Sequence, residues 1–184
     1  MKLKGYSLPQ KAYITRVMKA LAGEDGPVHF IDPGVTGTGY ATWVEIGGQR
    51  ATRPIDCGCV KGIKKNENWQ DRAYYVVGAL TKVFDEYGTR VVVVEWPELW
   101  TGSSRSQTAA ERGDIIKLAH LCGEIDYCCR ESGFKCVLVR PSEWKGQLGK
   151  QAVINRIKRR LNNWSPTSHD ADAVAMGLVA MGVF

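Results

Sequence analysis

The chain has 184 residues, which allows one domain with a sizeable core but not two full domains. Hydrophobic residues make up 44% of the chain and charged residues 24%, and this balance excludes a disordered or fibrous protein. The formal net charge of +6 favours a polyanionic partner, because clustered lysines and arginines gain affinity by releasing counterions from phosphates.

The apolar runs and the cysteines indicate the cellular compartment of the protein. No apolar run approaches the roughly 18 residues that a membrane span needs, and residues 1–5 lack the apolar core of a signal peptide. We therefore expect a cytoplasmic protein, in which the six cysteines are reduced and mostly buried as small hydrophobic side chains. Cys57 and Cys59 lie two residues apart on a predicted strand and share one face. A site for a soft metal ion at these two cysteines is therefore an alternative to burial.

In chain order, the first half predicts a helix and then three antiparallel strands. Residues 11–21 can form a short amphipathic helix within a basic leader, and residues 23–27 have the composition of a linker. Strand composition then occurs over residues 28–32, 38–45 and 51–60. Thr36-Gly37 and Gly47-Gly48 are typical turns, so the three strands should pair as consecutive hairpins.

The second half alternates helices with strands. Apolar residues recur at helical spacing over residues 68–87, and four consecutive valines at 91–94 have the pattern of a central strand buried on both faces. The remaining predicted elements are one long helix over residues 107–132, a strand over 135–139, and helices over 150–161 and 169–181.

This order of elements matches the RNase H-like fold, an α/β architecture. Its mixed five-stranded sheet has three antiparallel strands followed by two parallel strands, and helices flank the sheet. We therefore predict one such domain over residues 27–184, preceded by a basic N-terminal extension over residues 1–26. A shared fold does not by itself define a function.

Acidic residues stand where two of the predicted strands end. Asp32 ends the first strand and precedes Pro33-Gly34, and Glu95 follows the four valines. If these strands pair as in this fold, both carboxylates meet at one edge of the sheet, where they repel each other unless a cation lies between them. Each residue alone also fits a simpler role, Asp32 as a turn residue and Glu95 as a solvated strand end.

A third group of candidates opens the last predicted helix, in the segment Ser168-His169-Asp170-Ala171-Asp172-Ala173. His169 and Asp172 are three residues apart and would face the same side of a helix. The acids can equally favour the helix dipole at its first turn, and His169 can be a capping or surface residue. The combination of three acidic segments makes a functional site the better interpretation.

The sequence resembles the RuvC family of Holliday junction resolvases from about Val28 to the end. The matching segments are Ile31-Asp32-Pro33-Gly34 with Thr36-Gly37 and Gly39-Tyr40, Val94-Glu95, and His169 to Ala173 with Val174 and Ala175. The resemblance implies a RuvC-type nuclease domain whose two Mg²⁺ ions, replaceable by Mn²⁺, are held by Asp32, Glu95, His169 and Asp172. His169 stands where many members have aspartate, so Asp170 could replace it as a ligand, or His169 could act as a proton shuttle.

The function that the resemblance implies is that of a structure-selective DNA endonuclease. It would resolve Holliday junctions and related branched DNA by paired nicking, through two-metal-ion hydrolysis of phosphodiester bonds. Lys145 and Lys150, in a loop like the basic segment after the family's last strand, would neutralise the scissile phosphate. The resemblance also implies a homodimer, because a four-way junction is itself two-fold. A virus-encoded member of the family is one alternative for the source.

Three further segments have features that suit DNA or subunit contacts. Residues 107–132 have apolar positions on more than one side, enough to cover the sheet and a twin subunit. Residues 156–160 contain four cations, which can contact DNA or form a solvated face. Trp96 and Trp100 flank the acidic edge and suit either stacking on bases or core packing.

Two other functions are alternatives. Residues 32–39 also resemble the phosphate loop of the actin, Hsp70 and sugar-kinase group, which would make the chain a single-domain ATPase or kinase-like protein. Those proteins carry the fold in two copies, whereas this chain has the length of one. The other alternative is a non-catalytic module that binds branched DNA, which would need no acidic cluster.

Overall fold

The structure of the chain is a computed structural model that describes residues 5–46, 49–50, 53–61, 68–99, 104–162, 164 and 170–184. Its strands are β1 (Val28–Asp32), β2 (Gly37–Trp43), β3 (Glu45–Ile46), β4 (Gln49–Arg50), β5 (Asp56–Lys61), β6 (Val91–Glu95) and β7 (Lys135–Val139). Its helices are α1 (Leu8–Leu21), α2 (Trp69–Tyr87), α3 (Ser104–Glu111), α4 (Asp114–Glu131), α5 (Pro141–Trp144), α6 (Lys150–Arg160) and α7 (Ala171–Ala180).

The main sheet has five strands in the order β5-β2-β1-β6-β7. β2 pairs antiparallel with β1 and β5, whereas β6 is parallel to β1 and β7. Three antiparallel strands are thus followed by two parallel ones, which confirms the predicted RNase H-like sheet. β3 and β4 form a separate two-stranded hairpin, in which β3 begins at Glu45, the last residue of the predicted second strand, and β4 lies before the predicted start of the third strand at residue 51.

The side-chain alternation of β6 divides the core into two layers. Val91 and Val93 face one layer, which α1, α6 and α7 cover, and Val92 and Val94 face the other, which α2 and α4 cover. All four valines are buried, because a parallel strand between two helical layers is apolar on both faces. The first polar side chain of β6 is therefore Glu95, at the end of the strand.

Helix α1 packs into the first core layer. It begins at Leu8, before the predicted start at residue 11, because Ser7 and Gln10 form a capping box. Tyr13, Ile14 and Val17 are buried on its inner face. The segment that precedes β1 therefore contributes to the core of the domain.

Several predicted boundaries were wrong. The helix predicted over residues 107–132 is two helices, α3 and α4, and Gly113 between them has a left-handed φ of 69°. The third long strand begins at Asp56 instead of residue 51, and the last helix begins at Ala171 instead of residue 169. Helix α5 lies in a segment that was predicted as a loop. Within the described ranges, no helix is both long and apolar enough to cross a membrane.

Candidate metal centre

Three carboxylates converge at one end of the sheet. Asp32 ends β1, Glu95 ends β6, and Asp172 lies in the first turn of α7. The parallel register pairs Ile31 with Val94, so the strand ends lie side by side. One oxygen from each of the three carboxylates lies within 4.8 Å of the others. Oxygen ligands at this spacing suit a hard divalent cation.

Burial and the neighbouring carboxylates disfavour the charged forms of Asp32 and Glu95. Burial, followed by the nearby carboxylates of Glu95 and Asp172, raises the pKa of Asp32 well above its ordinary value. Burial also raises the pKa of Glu95, although Lys145 opposes the shift. Buried carboxylates with raised pKa values gain most from a neighbouring positive charge, so the group is suited to hold a cation.

Two lysines lie at the rim of this acidic group. Lys145 Nζ is 3.0 Å from Asp172 Oδ2 and 3.6 Å from Glu95 Oε2, and Lys150 Nζ is 3.2 Å from Asp172 Oδ1. Burial opposes the charge on Lys145, but Glu95 and Asp172 outweigh it, so the pKa of Lys145 is raised. Both lysines predicted to face the scissile phosphate therefore contact the carboxylates directly.

The indole of Trp144 also belongs to the site, and the sequence interpretation missed it. Trp144 is fully buried and donates a 2.7 Å hydrogen bond from Nε1 to Glu95 Oε2. Helix α5 presents this side chain, with Pro141 at its start and Glu143 accepting a 2.6 Å hydrogen bond from Arg140 N–H. A proline followed two residues later by glutamate is a helix-start signal, and it could have revealed α5.

The structure brings together five of the predicted site residues, which are Asp32, Glu95, Asp172, Lys145 and Lys150. Asp170 is buried at the N-cap of α7, and the three-carboxylate group found among the described residues does not include it. His169 and Trp100 lie outside the described residues. The role of His169 as a ligand or proton shuttle therefore stays a prediction.

Trp96 and the two cysteines are not part of the carboxylate group found among the described residues. Trp96 packs against the core layer under α2 and α4, and its backbone N–H donates to Val139 O at 2.6 Å. Burial raises the pKa of the Cys57 thiol to about 11, which disfavours the thiolate that a soft metal needs. Within the part of the chain that the structure describes, no metal-ligand group includes Cys57 or Cys59.

The sheet order and the acidic strand ends define an RNase H-like fold with a candidate metal centre. Among solved structures, RuvC of Thermus thermophilus is similar, with a TM-score of 0.64, 22% identity, and coverage of 83% of this chain and 92% of that chain. The same protein in complex with a Holliday junction substrate gives a TM-score of 0.62 at 22% identity, covering 83% and 91%. The yeast mitochondrial Holliday junction resolvase Ydc2 has a TM-score of 0.53 and 16% identity, with coverage of 98% of this chain and 93% of that chain.

The comparisons based on sequence give no match: no protein-family model and no curated protein matches the chain. The structural likeness confirms, at the level of the fold, the RuvC resemblance that the sequence motifs indicated.

Proposed function

We propose that the chain is a structure-selective DNA endonuclease that resolves Holliday junctions and related branched DNA by paired nicking. The observation that carries the proposal is the convergence of Asp32, Glu95 and Asp172 within 4.8 Å, at the strand ends of a RuvC-like sheet. T. thermophilus RuvC has been solved with a Holliday junction substrate, and Ydc2 is a Holliday junction resolvase, which supports the same substrate class here.

The three carboxylates would hold two Mg²⁺ ions, which Mn²⁺ could replace. When bound, such ions lower the pKa of the attacking water and stabilise the departing oxygen of the phosphodiester. The chain contributes a rigid frame for them, because Asp32 and Glu95 end buried strands and Asp172 lies on a helix that is buried throughout. His169 or Asp170 would supply a further ligand, or His169 would act as a proton shuttle.

Lys145 and Lys150 give the acidic group a positive rim. A phosphodiester approaching three carboxylates is repelled, and ammonium groups at their edge reduce that repulsion. Helix α6 begins at Lys150 and continues with four cations in residues 156–160, each at least partly exposed. We propose that α6 lies along the DNA backbone next to the site.

Hydrogen bonds within the loop between β1 and β2 disfavour the kinase-like alternative. Thr38 Oγ1 accepts from Gly34 N–H at 3.1 Å and donates to Gly34 O at 2.9 Å, and Gly37 N–H donates to the same oxygen at 3.1 Å. Backbone donors that already have partners within the loop are poor ligands for a phosphate. A non-catalytic DNA-binding module is disfavoured as well, because three converging carboxylates would only repel the DNA backbone.

We also propose that α2 and α4 form the interface of a homodimer. Their outward surfaces expose Tyr74, Ile116 and Tyr127, at 80%, 72% and 62% respectively. Ile116 and Tyr127 share one side of α4, because 11 residues complete about three helical turns. We propose that a second copy of the chain covers these surfaces, because a two-fold symmetric junction needs two active sites for two cuts. Sedimentation equilibrium should show a dimer that Ile116→Asp converts to a monomer, and a monomeric wild-type chain would refute this interface.

A cleavage assay across substrates tests the proposed activity. With Mg²⁺, the purified chain should nick four-way junctions in pairs and cut linear duplex and RNA–DNA hybrids far more slowly. EDTA should abolish cutting and leave junction binding intact. The ions are needed for hydrolysis of the phosphodiester, whereas the lysines bind the DNA phosphates. Cutting that survives chelation would contradict the metal mechanism, and equal cutting of linear DNA would contradict structure selectivity.

A further inference from the structure

Helix α1 contacts the helix that carries Trp144 and precedes Lys145. Gln10 Nε2 donates a 2.9 Å hydrogen bond to the backbone carbonyl of Trp144. Arg16 forms a 3.0 Å ion pair with Glu143, on the same short helix. These contacts join the start of the described chain to α5, 134 residues later in the case of Gln10.

The same helix also contacts α7, which carries Asp172. The buried hydroxyl of Tyr13 donates a 2.9 Å hydrogen bond to Met176 O. Met176 lies about one helical turn after Asp172. Burial raises the pKa of Tyr13, and Glu95 is near enough to add to that shift. Helix α1 therefore supports two of the elements that build the candidate metal centre.

Helix α5 depends on such external contacts for its position. It has four residues, and a helix of that length is not stable in isolation. Ser142 of α5 also donates from its backbone N–H and its Oγ to the carboxylate of Glu98, at 3.1 Å and 2.9 Å. A shift of α5 would move the Trp144 indole away from Glu95 and the Lys145 ammonium away from Asp172.

We propose that α1 is a positioning element for the metal centre, and that Gln10 acts by fixing α5 against the carboxylates. This inference rests on the proposed nuclease function. Gln10 contacts the Trp144 carbonyl, so it would act through Trp144 and Lys145. Sites of this kind lose activity steeply when the supporting groups are misplaced by about 1 Å.

The variant Gln10→Glu separates positioning from helix formation. Gln10 Oε1 accepts a 3.1 Å hydrogen bond from Ser7 N–H, and a glutamate keeps that acceptor, so the capping box survives. The Nε2 donor is replaced by an oxygen that repels the Trp144 carbonyl. We expect the single-turnover rate of junction cleavage to fall about tenfold and Mn²⁺ affinity, measured by electron paramagnetic resonance, to weaken about threefold. Junction affinity should not change.

Two other variants of α1 are matched controls. Ala12→Glu adds the same charge on the exposed side of the helix. Ser7→Ala removes the capping hydroxyl but leaves the bond from Gln10 to Trp144 in place. Both controls should keep the wild-type cleavage rate and Mn²⁺ affinity, while Ser7→Ala should lower Tm because a helix cap is lost.

The ion pair of Arg16 provides a second test through an exposed side chain. Arg16→Ala removes the contact with Glu143, and Arg16→Lys retains the positive charge. We expect Arg16→Ala to lower the cleavage rate and Mn²⁺ affinity in the same direction as Gln10→Glu, and Arg16→Lys to restore most of the loss.

The outcomes distinguish this inference from the proposed function. A Gln10→Glu chain with wild-type rate and wild-type Mn²⁺ affinity would overturn the positioning role, as would an equal loss in Ser7→Ala. A wild-type chain that cuts no junction would instead refute the nuclease function, and the Mn²⁺ affinities of the same variants would still decide whether α1 positions the carboxylates.

Discussion

The Trp144 indole nitrogen lies 2.7 Å from Glu95 Oε2, and this hydrogen bond ties the end of β6 to α5. Burial raises the pKa of Glu95, and the indole N–H is among the contacts that lower it. A neutral donor orients a carboxylate without adding a charge that would compete with a cation. Trp144 is therefore a supporting residue of the candidate metal centre.

The variant Trp144→Phe should fill most of the buried space and lose the donor. We expect the single-turnover cleavage rate to fall between about tenfold and a hundredfold, as for other supporting groups of metal ligands. Removal of the N–H raises the pKa of Glu95, so the acidic limb of the pH–rate profile should move to higher pH. A wild-type profile in this variant would show that the hydrogen bond does not tune Glu95.

Neutral isosteres of the carboxylates should separate chemistry from binding. Asp32→Asn, Glu95→Gln and Asp172→Asn are each expected to reduce cleavage by about a thousandfold or more at nearly unchanged junction affinity, because the lost groups act on metal. Asp170→Asn should reduce cleavage less than Asp172→Asn, since Asp170 lies outside the three-carboxylate group of the described residues. The opposite ranking, in parallel cleavage and gel-shift assays, would identify Asp170 as the metal-facing residue.

Lys145→Met should increase the electrostatic repulsion among the carboxylates, because Lys145 lies beside Glu95 and Asp172. Lys145 contacts Glu95 and Asp172, so the metal-free variant should have a lower Tm than the metal-free wild type. Mg²⁺ should raise Tm more in the variant than in the wild type, because it replaces the missing positive charge. Differential scanning calorimetry with and without Mg²⁺ measures both effects. An equal rise in both chains would mean that Lys145 does not neutralise the carboxylates.

The strands and their acidic ends could be predicted because local pattern and sheet geometry determine them. Four consecutive valines can be buried on both faces only in a central strand, and β6 is that strand. Parallel pairing then places the last residues of two such strands at one edge of the sheet. The proximity of Asp32 and Glu95 could therefore be predicted from the sequence.

Contacts distant in sequence could not be predicted from local pattern. Trp144 bonds to Glu95 across 49 residues, and Tyr13 bonds to Met176 across 163, so both depend on how the whole chain packs. The break at Gly113 was missed for a different reason. A glycine can continue a helix or adopt a positive φ, and the surrounding residues favour neither outcome decisively.

His29 should make the fold sensitive to acid. It is buried in β1, where Nδ1 lies 2.9 Å from Thr42 Oγ1, and burial lowers its pKa from 6.5 to about 4, against an opposing effect of Asp56. Between these two pKa values the unfolded chain binds more protons, so stability falls as pH decreases through this window. Across the whole window, protonation of His29 should lower the free energy of unfolding by about 3 kcal/mol.

Urea unfolding of the wild type and of His29→Gln across this window measures the effect. The variant should be less stable near neutral pH and should lose less stability on acidification than the wild type. His120→Gln makes the same substitution at an exposed position of α4 and is the matched control. If His29→Gln keeps the wild-type pH dependence, another group is responsible.

Gly177 in α7 should tolerate no side chain. A Cβ at this position would clash with the indole of Trp43, including an approach of 2.9 Å to Cδ1. Gly177→Ala should therefore destabilise the fold by about 1–3 kcal/mol, the range for overpacking a core. Gly78→Ala, in open space on α2, should instead stabilise it by about 0.5–1 kcal/mol. Equal urea midpoints for the two variants would contradict the packing of α7 on β2.

The bond between Tyr13 and Met176 has a consequence for protein synthesis. A ribosome that has completed β6 has produced Asp32 and Glu95, but neither the third acid nor the lysines beside it. The nascent chain thus holds an incomplete centre until α7 emerges and docks on α1, which is made well before it. Under the proposed function, products terminated before α7 lack the third carboxylate and should not cut DNA.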